Sequence, residues 1–166
     1  MSQRTVAVAL FAIVLVGVIA VSLAGGRRAQ PVAQSDPSLI NSTSADANNP
    51  KLVSAGREVY ATYCASCHGR NLEGQPGWQR ALPGGGRLAP PHDASGHTWH
   101  HPDQLLFEIV KNGGQASSPP GYLNNMPSFA ASLSDTQIWA ALAYIKSTWP
   151  ADVREAQQQA NSDAKP

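Results

Sequence analysis

Cys64-Ala65-Ser66-Cys67-His68 is the stretch on which the reading of the whole chain turns. Two cysteines three apart, followed directly by a histidine, have the C-x-x-C-H spacing by which haem is attached covalently to a protein. The order has a chemical reason. Two thiols on one helical turn can add to the two vinyl groups of one porphyrin, and the adjoining imidazole then lies under the iron as an axial ligand. Cys64 and Cys67 are therefore the expected thioether positions and His68 the expected proximal ligand. The competing readings lack their context. A redox-active C-x-x-C belongs in a βαβ pattern, and a zinc site needs two further ligands at fixed spacing. A disulfide between residues three apart on a helix is strained.

Upstream, residues 5–24 form an uncharged apolar run flanked by Arg4 and by Arg27-Arg28. Its length matches the roughly 20 residues of a membrane-spanning helix. A cleaved signal peptide has a shorter apolar core of about 7 to 15 residues, although Ser22-Leu23-Ala24 offers a small-residue cleavage site. Length favours retention, so residues 1–28 are expected to be a membrane anchor or uncleaved signal. Residues 29–50 are rich in Pro, Ser, Ala and Asn with few large apolar side chains, and read as a flexible linker.

Around the motif, Asn49-Pro50 reads as an N-cap with proline at the first helical position, opening a helix that runs into it. Val53, Gly56, Tyr60, Tyr63 and Cys67 share one face of that helix. A glycine on a buried face points to a second helix crossing closely, although an indifferent glycine in the first turns reads equally well. Residues 69–101 are Gly- and Pro-rich without a sustained period. A haem edge is what so long a loop could pack on, with Trp78, Leu82, Leu88 and Trp99 as contacts. Pro102 opens a second helix with Asp103 in its first turn, Gly113 as its stop, and Leu105, Leu106, Ile109 and Val110 as its apolar stripe. Ser134-Asp135-Thr136-Gln137 is a capping box stapled by Leu133 and Ile138, and starts a helix with Ile138, Ala141, Leu142, Ile145 and Trp149 on its inner face. Residues 151–166 read as a polar C-terminal tail, a fraying helix.

A six-coordinate haem needs a second axial group, and methionine commonly partners histidine. Of the two methionines, Met1 lies beyond the apolar run, which leaves Met126. The rest of the composition narrows the partners. Formal charge is +1, and within residues 51–150 seven lysines and arginines stand against six aspartates and glutamates. That balance argues against nucleic-acid binding. A region of about 100 residues builds a limited core, which a porphyrin would complete.

Taken together, residues 51–149 resemble the class I c-type cytochromes. The resemblance rests on Gly56 and Tyr60, Cys64 to His68, Ala89-Pro90-Pro91, Met126-Pro127-Ser128-Phe129 and Tyr144-Ile145. It implies an all-α cytochrome c fold over residues 51–150, with three to five helices and long loops around one covalent haem c. The membrane-spanning helix would precede it. It also implies that the first and last helices cross at Gly56 and Tyr60 against Tyr144, and that the Pro90 carbonyl accepts from the proximal histidine, fixing its orientation. Iron would be held by His68 and Met126. Arg27-Arg28 after the apolar run argue for the opposite topology, but haem attachment of this type implies a domain on the extracytoplasmic, periplasmic side.

With both axial positions filled no vacancy remains for a small-molecule substrate, so the expected role is that of an electron carrier and not of an enzyme. The leading reading is a membrane-tethered cytochrome passing single electrons between respiratory-chain partners such as a membrane oxidase or reductase. One alternative is a fixed subunit of a dehydrogenase or oxidase complex. Another is a copper-handling protein using His92, His97, His100 and His101, since imidazole suits copper.

Overall fold

The structure, a computed structural model, describes residues 42–164. The apolar run at 5–24, and with it the expected anchor, lies outside the described residues, as does most of the expected linker. Among the described residues no helix is long and apolar enough to cross a membrane. They contain five α-helices: α1 (Pro50–Tyr63), α2 (Ala65–His68), α3 (Asp103–Asn112), α4 (Asp135–Ser147) and α5 (Ala151–Asp163). Short 3₁₀ turns lie at Thr98–His100 and Gly114–Ser117. The all-α layout with long loops is the one expected.

Local chemistry sets the helix ends. The Asn49 side chain accepts from the amides of Lys51 and Leu52 at 3.1 and 3.2 Å, satisfying donors that a helix start leaves open. At α4 the capping box is closed in both directions, Gln137 N to Ser134 Oγ at 3.3 Å and Ser134 N to Gln137 Oε1 at 2.9 Å. Gly113, with φ of +85°, stops α3 in a backbone region that suits glycine.

α1 and α4 make the main contact of the fold. Gly56 is buried there, and a Cβ at that position would overlap the carbonyl of Ala140 and press on Tyr144 Cβ. The two backbones thus approach as closely as a missing side chain permits, and Tyr60 meets Tyr144 beside the crossing with ring centroids 5.4 Å apart. The close crossing, one of two readings of Gly56, is the one found. Leu52, Val59, Leu106, Ile138 and Leu142 are buried in the main core, where Phe107 stacks on Trp139 at 4.3 Å.

Three expectations are corrected. α3 is rotated from the expected stripe: Leu106 and Phe107 are buried, while Leu105 is 36% exposed. The aromatic stack on Trp139 draws Phe107 inward. The linker expected over 29–50 does not extend to residue 50, because Ala45 is buried in the main core and Asp46 to Asn49 form a turn closed by Asn49 N to Asp46 O at 3.2 Å. The tail expected over 151–166 is helical over Ala151–Asp163, as expected, but within the described residues it does not fray. α5 is docked: Gln157 is 2% exposed and donates to Asp103 Oδ1 at 2.7 Å, and Asn161 Oδ1 accepts from the Asp103 amide at 2.6 Å.

Candidate functional site

The motif begins where α1 ends. Cys64 closes α1, with its amide bonded to Tyr60 O at 2.9 Å, and α2 carries Cys67 and His68 on the following turn. Both cysteines are free thiols, Cys64 partly buried and Cys67 exposed. Burial pushes the Cys64 thiol up to about 11, with Cys67 adding to it. The Tyr60 hydroxyl donates to Gly69 O at 2.9 Å, tying α1 to the residue after the motif. Burial raises the pKa of that phenol, so it stays a donor.

His68 is buried and its Nδ1 lies 2.9 Å from Pro90 O. A carbonyl can only accept, so the ring proton sits on Nδ1 and the Nε2 lone pair is left available. Burial lowers the pKa of this imidazole, while the bond to Pro90 pulls the other way. The loop that brings Pro90 there is held by close backbone packing: a Cβ on Gly74 would collide with Pro90 and Pro91, and one on Gly96 with the Pro91 carbonyl. Gly74 N to His68 O at 2.8 Å and Gln75 N to Ala89 O at 2.9 Å finish the bracket.

Met126 comes from a separate loop, pinned on both sides. Its carbonyl accepts from Gly114 N at 3.0 Å and its amide donates to Asn124 Oδ1 at 3.0 Å, while Ser128 Oγ donates to Lys111 O at 2.6 Å. Gly113 and Gly114 allow this approach, since Cβ atoms there would meet Met126 O and the Asn124 side chain. The backbone of Met126 is thereby fixed at the end of α3, and its side chain is partly buried.

The residues fit a covalent haem c. Two free thiols stand one turn apart, an imidazole nitrogen is free beside them, and a thioether sits on a fixed loop. Trp99 packs on the same small cluster as Cys64 and Ala65, and its Nε1 is buried with no hydrogen-bond partner among the described residues. An orphaned buried N–H needs an acceptor, and the carboxylates of a porphyrin are of that kind. Of the other expected loop contacts, Trp78 stacks on His97 with centroids 5.7 Å apart, and Leu82 and Leu88 are partly buried.

Among the described residues no group of three or more His, Cys, Asp or Glu side chains is gathered so as to hold a metal ion, the four loop histidines included. They disperse. His100 stacks on Trp99 at 3.6 Å, His97 meets His101 edge to face at 5.5 Å, and His92 stacks face to face on His68. Sequence reasoning missed Tyr60 as a hydrogen-bond donor, His92 as a neighbour of His68, and Asn124 as the brace of Met126. The first two depend on contacts between separate elements that carry no periodic signal, whereas the Asn124 bond to Met126 N spans two residues and is a turn for which Asn is a favoured residue.

The family model of cytochrome c oxidase, cbb3-type, subunit III, matches residues 51–145, from the start of α1 to near the end of α4. Neither a curated protein nor a solved structure matches the chain.

Proposed function

The chain belongs to the cbb3-type cytochrome c oxidase subunit III family, whose haem domain is a monohaem class I c-type cytochrome, and from that premise we propose how its residues hold the cofactor and what they deliver it to. The family binds one covalent haem c and transfers electrons. Bound haem iron supplies reversible one-electron chemistry. Cys64 and Cys67 would carry the thioether links, His68 Nε2 and the Met126 sulfur would hold the iron, and the Pro90 carbonyl orients His68. The observation that carries this reading is the 2.9 Å bond between His68 Nδ1 and Pro90 O. It leaves one nitrogen of His68 for iron, directly after the two thiols.

The domain passes single electrons to a membrane oxidase, tethered through residues 5–24 with the haem side outside the cytoplasm. A fixed place as an oxidase subunit is the second reading, and the family match favours it over a dehydrogenase partner. Co-purification with oxidase subunits after mild detergent extraction favours the subunit, and its isolation alone favours the carrier. Deleting residues 1–28 and supplying a cleavable signal should release a soluble holoprotein. Native protein in the soluble fraction with an N-terminus at Gly25 rules out the tether.

The ligands are tested on holoprotein made with a haem-attachment system. The expected wild type keeps its haem under denaturing electrophoresis and shows the weak sulfur-to-iron absorption band of the oxidised form. Met126→Ala should lose that band and lower the midpoint potential. A wild type lacking the band from the outset removes Met126 from the iron.

A further inference from the structure

We infer that His92 is a positioning residue for the proximal ligand, a second imidazole that clamps the ring plane of His68 from its face while Pro90 holds its edge. The inference rests on the reading of His68 as an axial donor. The two rings stack with centroids 4.0 Å apart and an interplanar angle of 23°. A stack this close leaves little room for the His68 ring to rotate about its Cβ–Cγ bond unless His92 moves as well.

His92 is itself fixed from several directions. Its amide donates to Leu72 O at 2.7 Å, and its carbonyl accepts from Trp149 Nε1 at 2.7 Å. Its Nδ1 lies 2.8 Å from Thr98 Oγ1, and the Thr98 hydroxyl donates to Pro91 O at 3.4 Å. A hydroxyl can both donate and accept, so either tautomer of His92 keeps the bond to Thr98. Tyr60 stands edge-on to the same ring, 6.3 Å between centroids. The clamp is therefore continuous with the loop that carries Pro90, and through Trp149 with the end of α4. Stacked on His68 and bonded to Thr98, His92 would not be free to compete with Met126 as a ligand.

Ring orientation matters because an axial imidazole overlaps the iron orbitals through its plane. The plane sets the spread of the haem methyl resonances in the oxidised protein, and its basicity bears on the potential. The test compares wild-type holoprotein with three variants. His92→Leu keeps the bulk and removes the aromatic face, His92→Phe keeps the face and removes the Nδ1 bond, and Thr98→Val loosens the ring while leaving it in place. Proton NMR of the oxidised protein and redox titration are the readouts, with the sulfur-to-iron band as a check that both axial ligands remain.

His92→Leu is expected to change the haem methyl pattern and shift the midpoint potential with the band intact. His92→Phe should lie between it and the wild type, and Thr98→Val should move the pattern in the same direction by less. Wild-type methyl shifts and potential in His92→Leu overturn the inference. If that variant does not fold, His92→Ala, which also removes the face, takes its place, and wild-type methyl shifts and potential in it overturn the inference equally. A wild type in which His68 does not ligate the iron would instead defeat the reading beneath, and shows itself before any variant is made.

Discussion

Lys146 Nζ lies 2.7 and 2.6 Å from the two carboxylate oxygens of Asp103, joining the end of α4 to the start of α3. The pair is mostly withdrawn from water, with side-chain exposures of 13% and 21%. The same carboxylate accepts from Gln157 and Asn161 on α5, and Gln157 also donates to His101 O at 3.3 Å. Asp103 is thus the post to which three helices are tied. Removing one member of a buried pair leaves the other charge without compensation, which costs about 3 to 5 kcal/mol. Asp103→Ala is expected to fall in that range by urea denaturation of the holoprotein. Ending the chain at Pro150 keeps the ion pair and should cost less. Equal losses in the two variants would mean that the ion pair contributes nothing beyond the dock of α5.

Gly56 supports a second stability prediction. Overpacking a core typically costs about 1 to 3 kcal/mol, but at Gly56 the obstacle is the Ala140 carbonyl and no side chain can rotate away. Gly56→Ala should therefore lie at or above the top of that range, although alanine is the better helix former by about 1 kcal/mol. A denaturation midpoint equal to the wild type would show that α1 and α4 can separate without loss.

These contacts separate what was legible in the sequence from what was not. Asn49-Pro50, Ser134 to Gln137 and the C-x-x-C-H motif each act through neighbours in sequence, whereas Gly56 was legible only as one of two equal readings, since the Ala140 carbonyl that decides it lies on another helix. The docking of α5 was not legible, because Gln157 and Asn161 are polar and the helix shows no apolar stripe to announce a buried face. Ala45 hides for the opposite reason: a small residue among Ser and Asp gives no hydrophobic pattern. Phe107 displaced Leu105 because its partner, Trp139, is 32 positions away in the chain. His92 was legible as a histidine in a dense cluster, but its stacking on His68 follows from a fold of the Pro90-Pro91 loop.

The loop histidines give the domain an acid-side weakness. Burial lowers the pKa of both His97 and His101, helped by His100 and Arg87 at His97, and by His97 and His100 at His101. Trp78, stacked on His97, brings no charge. Unfolded histidines take up protons near pH 6.5. Below that pH the unfolded chain binds protons that the folded chain does not yet bind, so stability falls as pH drops from about 6.5 towards the lower folded values. Above it both states are neutral and this source gives no slope. Urea midpoints of the holoprotein should therefore decline between about pH 7 and pH 5.5, and less steeply in His97→Gln, His101→Gln. A slope unchanged in the double variant would assign the decline to other groups.

The charges also decide how the domain finds its partner. Carriers with a dense patch of one sign associate fast at low salt and slow steeply as ions screen them. Here seven bases face six acids within residues 51–150, and two of the bases are already engaged, Lys146 with Asp103 and Lys111 with Asp135 at 2.9 Å. Little long-range field is left to screen. Apolar surface remains on the loop that carries Met126: Leu123 is 53% exposed, and Gly86 packs so closely on its carbonyl that a Cβ there would overlap it. Contact through such a surface depends weakly on salt. Electron transfer from the soluble domain to its redox partner should change only several-fold as ionic strength rises from about 0.01 to 0.15 M, while the Debye length falls from roughly 30 to 8 Å. Leu123→Asp should slow it more than that whole salt range does. Stopped-flow rates decide the matter, and a fall of about a hundredfold over the range would reveal a charged patch assembled by the fold.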